Sequence, residues 1–296
     1  MAQARPRVSI ITPTFNRADF IRSAVESVLA QTFGDFELLI VDDGSTDNTV
    51  SVLEPYLSDV RIRYFHQPNQ GQSVARNRGL AEAQGELICF LDSDDAWLEN
   101  KLEKQVSMMD QYPEVDIIHG DEIDIDEYGR EISRKNMRRF SGMIARQLLA
   151  DNSVSINTVM VRSRCFDEMG GFSEERRVAD DYEIWLRFAS RYRFLYVPAF
   201  FGFYRVMSNQ ISSDKRARFE SNERIVLDFV RDFPEALSRS DRHWGLSRFY
   251  CRKARYYARA GDKIVACGAI VRALRYCPAD PVVWRSLFRV IRPSGI

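Results

Sequence analysis

The transition at residues 87–95 constrains this chain more than any other stretch. Leu87 to Leu91 is a short apolar run after Gly85, and it ends abruptly in Asp92, Ser93, Asp94 and Asp95. A run of this length after a stop residue reads as a buried strand. Carboxylates beside a buried strand are costly unless donors or a cation receive them. Placing them at the strand's carboxyl end, where open α/β sheets bind ligands, avoids that cost. Asp92 and Asp94, two apart on an extended backbone, lean to the same side. Hard oxygen ligands of this kind suit Mg²⁺ or Mn²⁺, shared with substrate phosphates. The plainer reading of an isolated Asp-x-Asp is a solvated turn with an acidic cap before Trp97. The neighbouring segments decide between the two.

Those segments alternate. Val8 to Thr12, Phe36 to Val41, Ile62 to His66 and Leu87 to Leu91 read as strands, with helices over about 18–31, 46–57 and 73–83 between them. This βαβαβαβ order predicts an α/β fold with a mostly parallel, doubly wound, Rossmann-like sheet flanked by helices. A helix over about 99–112 and a strand over 115–119 continue it. The middle is less regular. Residues 121–127 and 134–139 read as loops or an edge hairpin, 158–161 and 200–206 as strands, and 180–190 as a helix. From about Phe219 the pattern is helical, with an antiparallel pair around Gly261 and a last helix containing Trp284 and Leu287. The chain thus divides into an α/β domain, 1–212, and a helical C-terminal region, 213–296.

Each early strand ends in polar residues. In TPTFNR, Pro13 ends the ladder because it has no N–H. Thr14 and Asn16 then offer polar groups at the sheet edge, or cap the next helix. In VDDGSTD, Gly44 permits a turn. Asp42 and Asp43 have no local need to be there; a carboxylate can accept the N3–H of uracil, and an acidic turn is the alternative. In NQGQSVARNRG, Arg76 suits a phosphate or a site carboxylate, or is a surface arginine. Three strand ends carrying such clusters on one edge point to a nucleotide site. There is no GxGxxG after the first strand and no P-loop. A metal is therefore expected to neutralise the phosphates, in place of a Gly-rich helix N-terminus.

The segments VSIITPTFNR, QTFGDFELLIVDDGSTD, NQGQSVARNRG and GELICFLDSDDAW, in this order and spacing over about residues 7–210, resemble the nucleotide-sugar glycosyltransferases of family 2, with the GT-A fold. The resemblance implies that Pro13, Thr14, Asn16 and Asp43 line the nucleoside pocket, with Asp42 beside it. Arg76 joins them on the nucleotide side. Asp92, Ser93 and Asp94 would form the metal–diphosphate motif, with Asp94 the direct metal contact. The family's catalytic carboxylate corresponds to ADDYEIWLRFA, residues 179–189, where Asp180 caps the helix and Asp181 is the general base. An inverting transfer needs one base to take the acceptor's proton. The leaving diphosphate needs no protein acid when a metal neutralises it. One departure is FYRVMSNQIS, residues 203–212, with Met207 where relatives often carry His. Thioether is a poor ligand for a hard cation. Tyr204 and Arg205 remain as diphosphate contacts. His66 and His119 lack a partner pattern and read as structural.

The implied reaction moves a sugar from a nucleotide-sugar, in the first instance a UDP-sugar, to a hydroxyl of a glycan or lipid-linked acceptor in surface polysaccharide synthesis. A nucleotidyltransferase on a similar sheet, or a nucleotide-sugar-binding module without chemistry, are the alternatives. No nucleic-acid partner is expected. The five cysteines show no metal spacing and read as reduced thiols of a cytoplasmic protein. No apolar run reaches the ~18 residues needed to span a bilayer, and no signal-peptide stretch is visible. The net charge of zero hides an asymmetry. Residues 215–296 hold 18 basic and 8 acidic side chains, a balance of +10, and residues 1–214 hold 24 and 34, a balance of −10. Arg252, Lys253, Arg255 and Arg259 beside Tyr250, Tyr256 and Tyr257 read as a peripheral contact with anionic lipid, or as a face packed on the rest of the chain.

Overall fold

A computed structural model describes residues 5–134, 138–176, 178–207 and 214–291. The first half runs β1 (Val8–Thr14), α1 (Ile21–Leu29), β2 (Phe36–Asp42), α2 (Thr49–Leu53), β3 (Ile62–His66), α3 (Gln72–Glu82) and β4 (Leu87–Phe90). Next come β5 (Ala96–Trp97), α4 (Lys101–Gln111), β6 (Ile117–Ile125), β7 (Glu131–Arg134), α5 (Ala145–Ala150), β8 (Met160–Arg162), α6 (Arg164–Met169), α7 (Asp180–Phe188) and β9 (Phe194–Arg205). Four helices follow: α8 (Lys215–Asp232), α9 (Arg239–Arg259), α10 (Lys263–Tyr276) and α11 (Pro281–Ile291).

The sheet order is β3-β2-β1-β4-β8-β6-β9-β5, with β7 on the side of β6. The first four strands are parallel, as their helical crossovers require. Beyond β4 the sheet is mixed: β8 runs against both β4 and β6, and only β6 and β9 are parallel. Of the antiparallel pairs there, β6–β7 is joined by a short connection and is the hairpin expected near 121–139. Residues 121–125, read as loop or hairpin, complete the strand β6. The result is a GT-A-like curled α/β sheet flanked by helices.

Both faces of the parallel half are buried, so its strands read as continuous apolar runs. Alternate side chains go to opposite faces. Ile10, Leu38 and Cys89 join one cluster with Ile21, Val25 and Val28 of α1 and Leu102 and Val106 of α4. Ile11, Leu39, Ile88 and Phe90 join the other, with Ile184 and Trp185 of α7. Gly79 of α3 lets that helix lie directly on β1: a Cβ there would meet Ile11 Cγ2 at 2.4 Å.

The C-terminal helices belong to this second cluster. Ile225, Val226 and Phe229 of α8, Phe249 and Tyr250 of α9, and Ala269 and Ile270 of α10 pack in it with the sheet residues. Three of these helices start on side-chain caps, Asp214, Ser238 and Asp262, each accepting from a backbone N–H of the first turn. The boundary expected at 212/213 lies outside the described residues. Tyr250, Lys253 and Tyr257 are buried. Arg252 is bonded to Ala150 O and Asp151. These residues, read as a lipid-facing surface or a packing face, therefore pack. Among the described residues no helix is long and apolar enough to cross a membrane.

Candidate active site

The carboxyl ends of β1, β2 and β4 open into one cleft of about 770 Å³. Pro13, Thr14, Asp43, Arg76, Asp92, Ser93, Asp94 and Asp181 all line it, brought together from positions as far apart as 13 and 181. Asn16 and Asp42 do not line it. Asn16 Oδ1 accepts from Thr46 N at 2.8 Å and Asp47 N at 3.3 Å, tying the β1 loop to the β2 loop. Asp42 is fully buried and accepts from Ser45 N at 2.8 Å and Tyr64 OH at 2.7 Å. The two residues shape the loops that present the site.

On the nucleoside side, Asp43 accepts from Gln67 Nε2 at 2.8 Å, Gln70 N at 3.0 Å and Gly71 N at 2.7 Å. Oδ2 takes only the last of these, so a lone pair remains for a donor in the cleft. Gly71, at φ 98°, gives the turn that aims these amides. Thr14 Oγ1 is buried and has no hydrogen-bond partner among the described residues. A buried polar atom left unpaired at a cleft wall is a place for a ligand group. The two non-glycine residues with positive φ among those described, Asn16 at 52° and Ala179 at 61°, flank this cleft. Backbone strain of this kind gathers at functional sites.

The acidic turn after β4 is more tightly built than its sequence shows. Asp92 pairs with Arg76 at 2.6 Å. Asp95 is fully buried, accepts from Arg205 N at 2.7 Å and is bonded to Asn157. Burial, then Asp94 and Asp92, push the Asp95 carboxyl well above its ordinary range. Asp94 lies between them, with Arg17 Nε at 3.5 Å. Burial and the neighbouring Asp92 raise its pKa, and Arg17 opposes this. Arg17 and Asp95 sit inside the TPTFNR and DSDD motifs and were readable there; Asn157 carried no signal.

Two expectations change. Arg76 is buried and its guanidinium is committed to Asp180 at 2.5 Å and Asp92 at 2.6 Å. It serves site carboxylates in place of a phosphate. Burial disfavours its charge, and Asp180 and Asp92 more than restore it. Arg205 is likewise held inward, by Asp94 O at 2.8 Å and by Asp126 O and Glu127 O at 3.0 Å. It fixes the acidic turn to the β6–β7 loop. His119 is buried, bonded to Phe140 O at 2.9 Å, and burial pushes its pKa down to about 4, as a structural histidine requires.

Asp180 and Asp181 start α7 side by side and face different surroundings. Asp180 is buried under Arg76, Gln72 Nε2 at 2.9 Å and Ser73 Oγ at 3.1 Å. Asp181 is half-buried in the cleft wall and accepts from Asn152 Nδ2 at 3.1 Å. Burial raises the Asp181 pKa, Asp180 raises it further, and Arg218 and Arg76 draw it back. A carboxylate with a raised pKa and cleft access fits a proton acceptor. Asn152 and Arg218, from outside any motif, were not legible in the sequence. Among the described residues no group of three or more His, Cys, Asp or Glu is arranged to hold a metal. Asp92 and Asp94 would supply at most two ligands to a cation, and bound phosphates others.

The fold is that of the GT-A glycosyltransferases, and comparison with known proteins identifies the family. The profile of Glycosyl transferase family 2 matches residues 9–169, and the chain belongs to that family. An uncharacterized glycosyltransferase of Rickettsia felis is 38% identical over 185 residues, 62% of this chain and 30% of that relative. The chain thus spans under a third of that relative's length. The putative teichuronic acid biosynthesis glycosyltransferase TuaG of Bacillus subtilis is 47% identical over 111 residues, 37% of this chain and 44% of TuaG. The crystal structure of S. aureus TarS superposes with a TM-score of 0.68 at 19% identity, covering 96% of this chain and 53% of TarS. The mannosyltransferase PcManGT of Pyrobaculum calidifontis, in complex with GDP-Man and Mn²⁺, gives 0.56 at 18% identity, covering 97% and 80%.

Proposed function

We propose that this chain is an inverting glycosyltransferase that moves a sugar from a UDP-sugar to a hydroxyl of a glycan or lipid-linked acceptor in surface polysaccharide synthesis. The observation that carries the reading is the single cleft in which Asp43 and Thr14, the Asp92–Asp94 pair, and Asp181 converge. Asp43 and Thr14 would hold the nucleoside, and Asp92 and Asp94 a Mg²⁺ or Mn²⁺. The fit of a cation rests on the two carboxylates themselves: Asp92 and Asp94 both line the cleft, and Asp94 has Arg17 only at 3.5 Å, so hard oxygen donors face the space a diphosphate would enter. Bound there, a divalent cation supplies Lewis-acid neutralisation of the leaving diphosphate. Asp181 takes the proton of the acceptor hydroxyl as that oxygen forms its bond to the anomeric carbon and the bond to the diphosphate breaks. Asn152 fixes the carboxylate for this role, and Arg76 holds Asp92 in place. UDP is favoured because TarS has been crystallised with UDP and with UDP-GlcNAc.

Peripheral membrane contact by a cytoplasmic protein belongs to the same reading, on a different surface from the one expected. Trp284, Phe288 and Ile291 are exposed on α11, with Arg285 and Arg289 beside them. An exposed apolar stripe rimmed by cations suits an anionic bilayer surface.

The deciding experiment is thermal stabilisation by UDP with and without Mn²⁺. Asp94→Ala is expected to abolish the metal-dependent part and leave the unliganded melting temperature within a few degrees. Equal stabilisation in chelator would sink the metal-dependent reading. Hydrolysis of a UDP-sugar separates an enzyme from a binding module.

A further inference from the structure

From the cleft outward along α8, α9 and α11, the C-terminal helices carry more positive charge than their ion pairs and hydrogen bonds use. Arg218 of α8 lines the cleft together with Asp181 and Asn152. Asn152 donates to Asp181, and the preceding residue, Asp151, is held by Arg252 at 2.6 Å. Arg255 lies one turn further along α9, and its guanidinium donates to Ser286 Oγ of α11 at 3.0 Å. Arg259, the next residue on that face of α9, and Arg289, one turn from Ser286 on α11, are exposed. Neither they nor the Arg218 guanidinium has an ion-pair or hydrogen-bond partner among the described residues. Arg252 to Arg259 spans about 10 Å of helix.

The charges in this cluster act on one another. Burial lowers the Arg255 pKa, and among the neighbours that add to this are Arg289, Arg252 and Arg259. Asp151, raised by burial, is drawn back by Arg252, Arg218 and Arg255 together. One carboxylate therefore answers several guanidinium groups, and the half-buried Arg255 is left with a hydroxyl as its hydrogen-bond partner. Cations gathered around one carboxylate are a site for a further anion from outside. A tetrahedral phosphate offers oxygens to several guanidinium forks at once, where a carboxylate matches one fork bidentately.

We propose that the acceptor carries phosphate, and that Arg218, Arg255, Arg259 and Arg289 form a track that seats it beside Asp181. The inference rests on the glycosyltransferase reading and adds to it the chemical class of the acceptor. It also gives the basic C-terminal region a binding role continuous with the cleft. The phosphate belongs either to a lipid headgroup or to a soluble phosphorylated chain.

The test uses the full chain saturated with UDP and Mg²⁺, so that the donor side is filled. Glycerol phosphate is then titrated and the melting temperature followed, with glycerate as the carboxylate control. Glycerol phosphate is expected to add stabilisation that falls as salt rises, and glycerate to add little. Arg218→Gln/Arg255→Gln/Arg289→Gln is expected to weaken binding at least tenfold. Arg218→Gln/Arg289→Gln, which leaves the half-buried Arg255 in place, is expected to weaken it severalfold and guards against a folding defect. Phosphatidylglycerol vesicles that compete with glycerol phosphate, while phosphatidylcholine vesicles do not, assign the phosphate to a lipid; no competition assigns it to a soluble chain. Stabilisation by UDP with none by glycerol phosphate, an equal response to glycerate, or unchanged binding in both variants overturns the proposal. Absence of UDP stabilisation overturns the donor reading on which it rests.

Discussion

Replacing Asp180 and Asp181 by Asn, one at a time, should cost stability at the first and none at the second, although the two are adjacent. Asp180 and Arg76 are both buried and lie 2.5 Å apart. Asp180→Asn removes the charge that compensates a buried guanidinium, and breaking such a pair costs about 3–5 kcal/mol. Asp92 still holds the other fork of Arg76 at 2.6 Å, which favours the lower end. With an unfolding entropy of roughly 2.1 cal/mol/K per residue, a chain of this length loses about 5 °C in Tm for about 3 kcal/mol. Asp181 behaves differently because its folded pKa is raised. Its unfolded value is ~3.9, so ionisation opposes folding. That opposition is absent below the unfolded pKa, grows as pH rises from the unfolded value to the folded one, and is complete above the folded one. Asp181→Asn removes it, so Tm at pH 7 should hold or rise, and the difference should vanish towards pH 3. Circular-dichroism melts of the three proteins at several pH values make the comparison. A Tm for Asp180→Asn within a degree of wild type, or a fall for Asp181→Asn as large as that for Asp180→Asn, would refute the division of roles.

The other expectations concern activity and packing. With an accepting glycan, Asp181→Asn should lower turnover by roughly 10²-fold or more while donor affinity, read by titration, is unchanged. The acidic limb of the pH–rate profile should lie above the ordinary carboxylate range, because burial raises the Asp181 pKa, and Arg218→Gln should move it higher still by removing an opposing charge. Gly79→Ala should cost about 1–3 kcal/mol in a denaturant titration, since its new Cβ would press on Ile11 of β1. Ile11→Ala, which removes both γ carbons that the new Cβ would meet, should cost less in that background than in the wild-type chain.

The parallel half of the fold was legible because each strand there is a short apolar run with a polar stop, and each helix shows its own period. The acidic clusters at the ends of β1, β2 and β4 were legible for the same reason: a carboxylate beside a buried strand has few places to go. What lay beyond reading was the partner of each charge. Arg76 looks like a surface or phosphate arginine until α7 brings Asp180 to it from 104 positions away. Asn152 and Arg218 reach Asp181 from segments with no periodicity or motif of their own. The basic stretch of α9 resembled a lipid-facing surface because its tyrosines could not be seen to turn inward. Strand β6 was read short because its acidic half, 121–125, imitates a loop.

Arg76 also joins two places that chemistry must use in sequence. One fork grips the acidic turn of the proposed donor side and the other grips Asp180, the first residue of the helix that carries Asp181, the proposed base. A single positive charge divided between two anions is a balance: whatever draws Asp92 away leaves more of the guanidinium's pull for Asp180. By linkage, whatever loosens Asp180 is felt in return at Asp92. Filling the donor half would thereby firm the start of α7 before an acceptor arrives. The order of events would be written into one side chain, with no moving lid required to impose it.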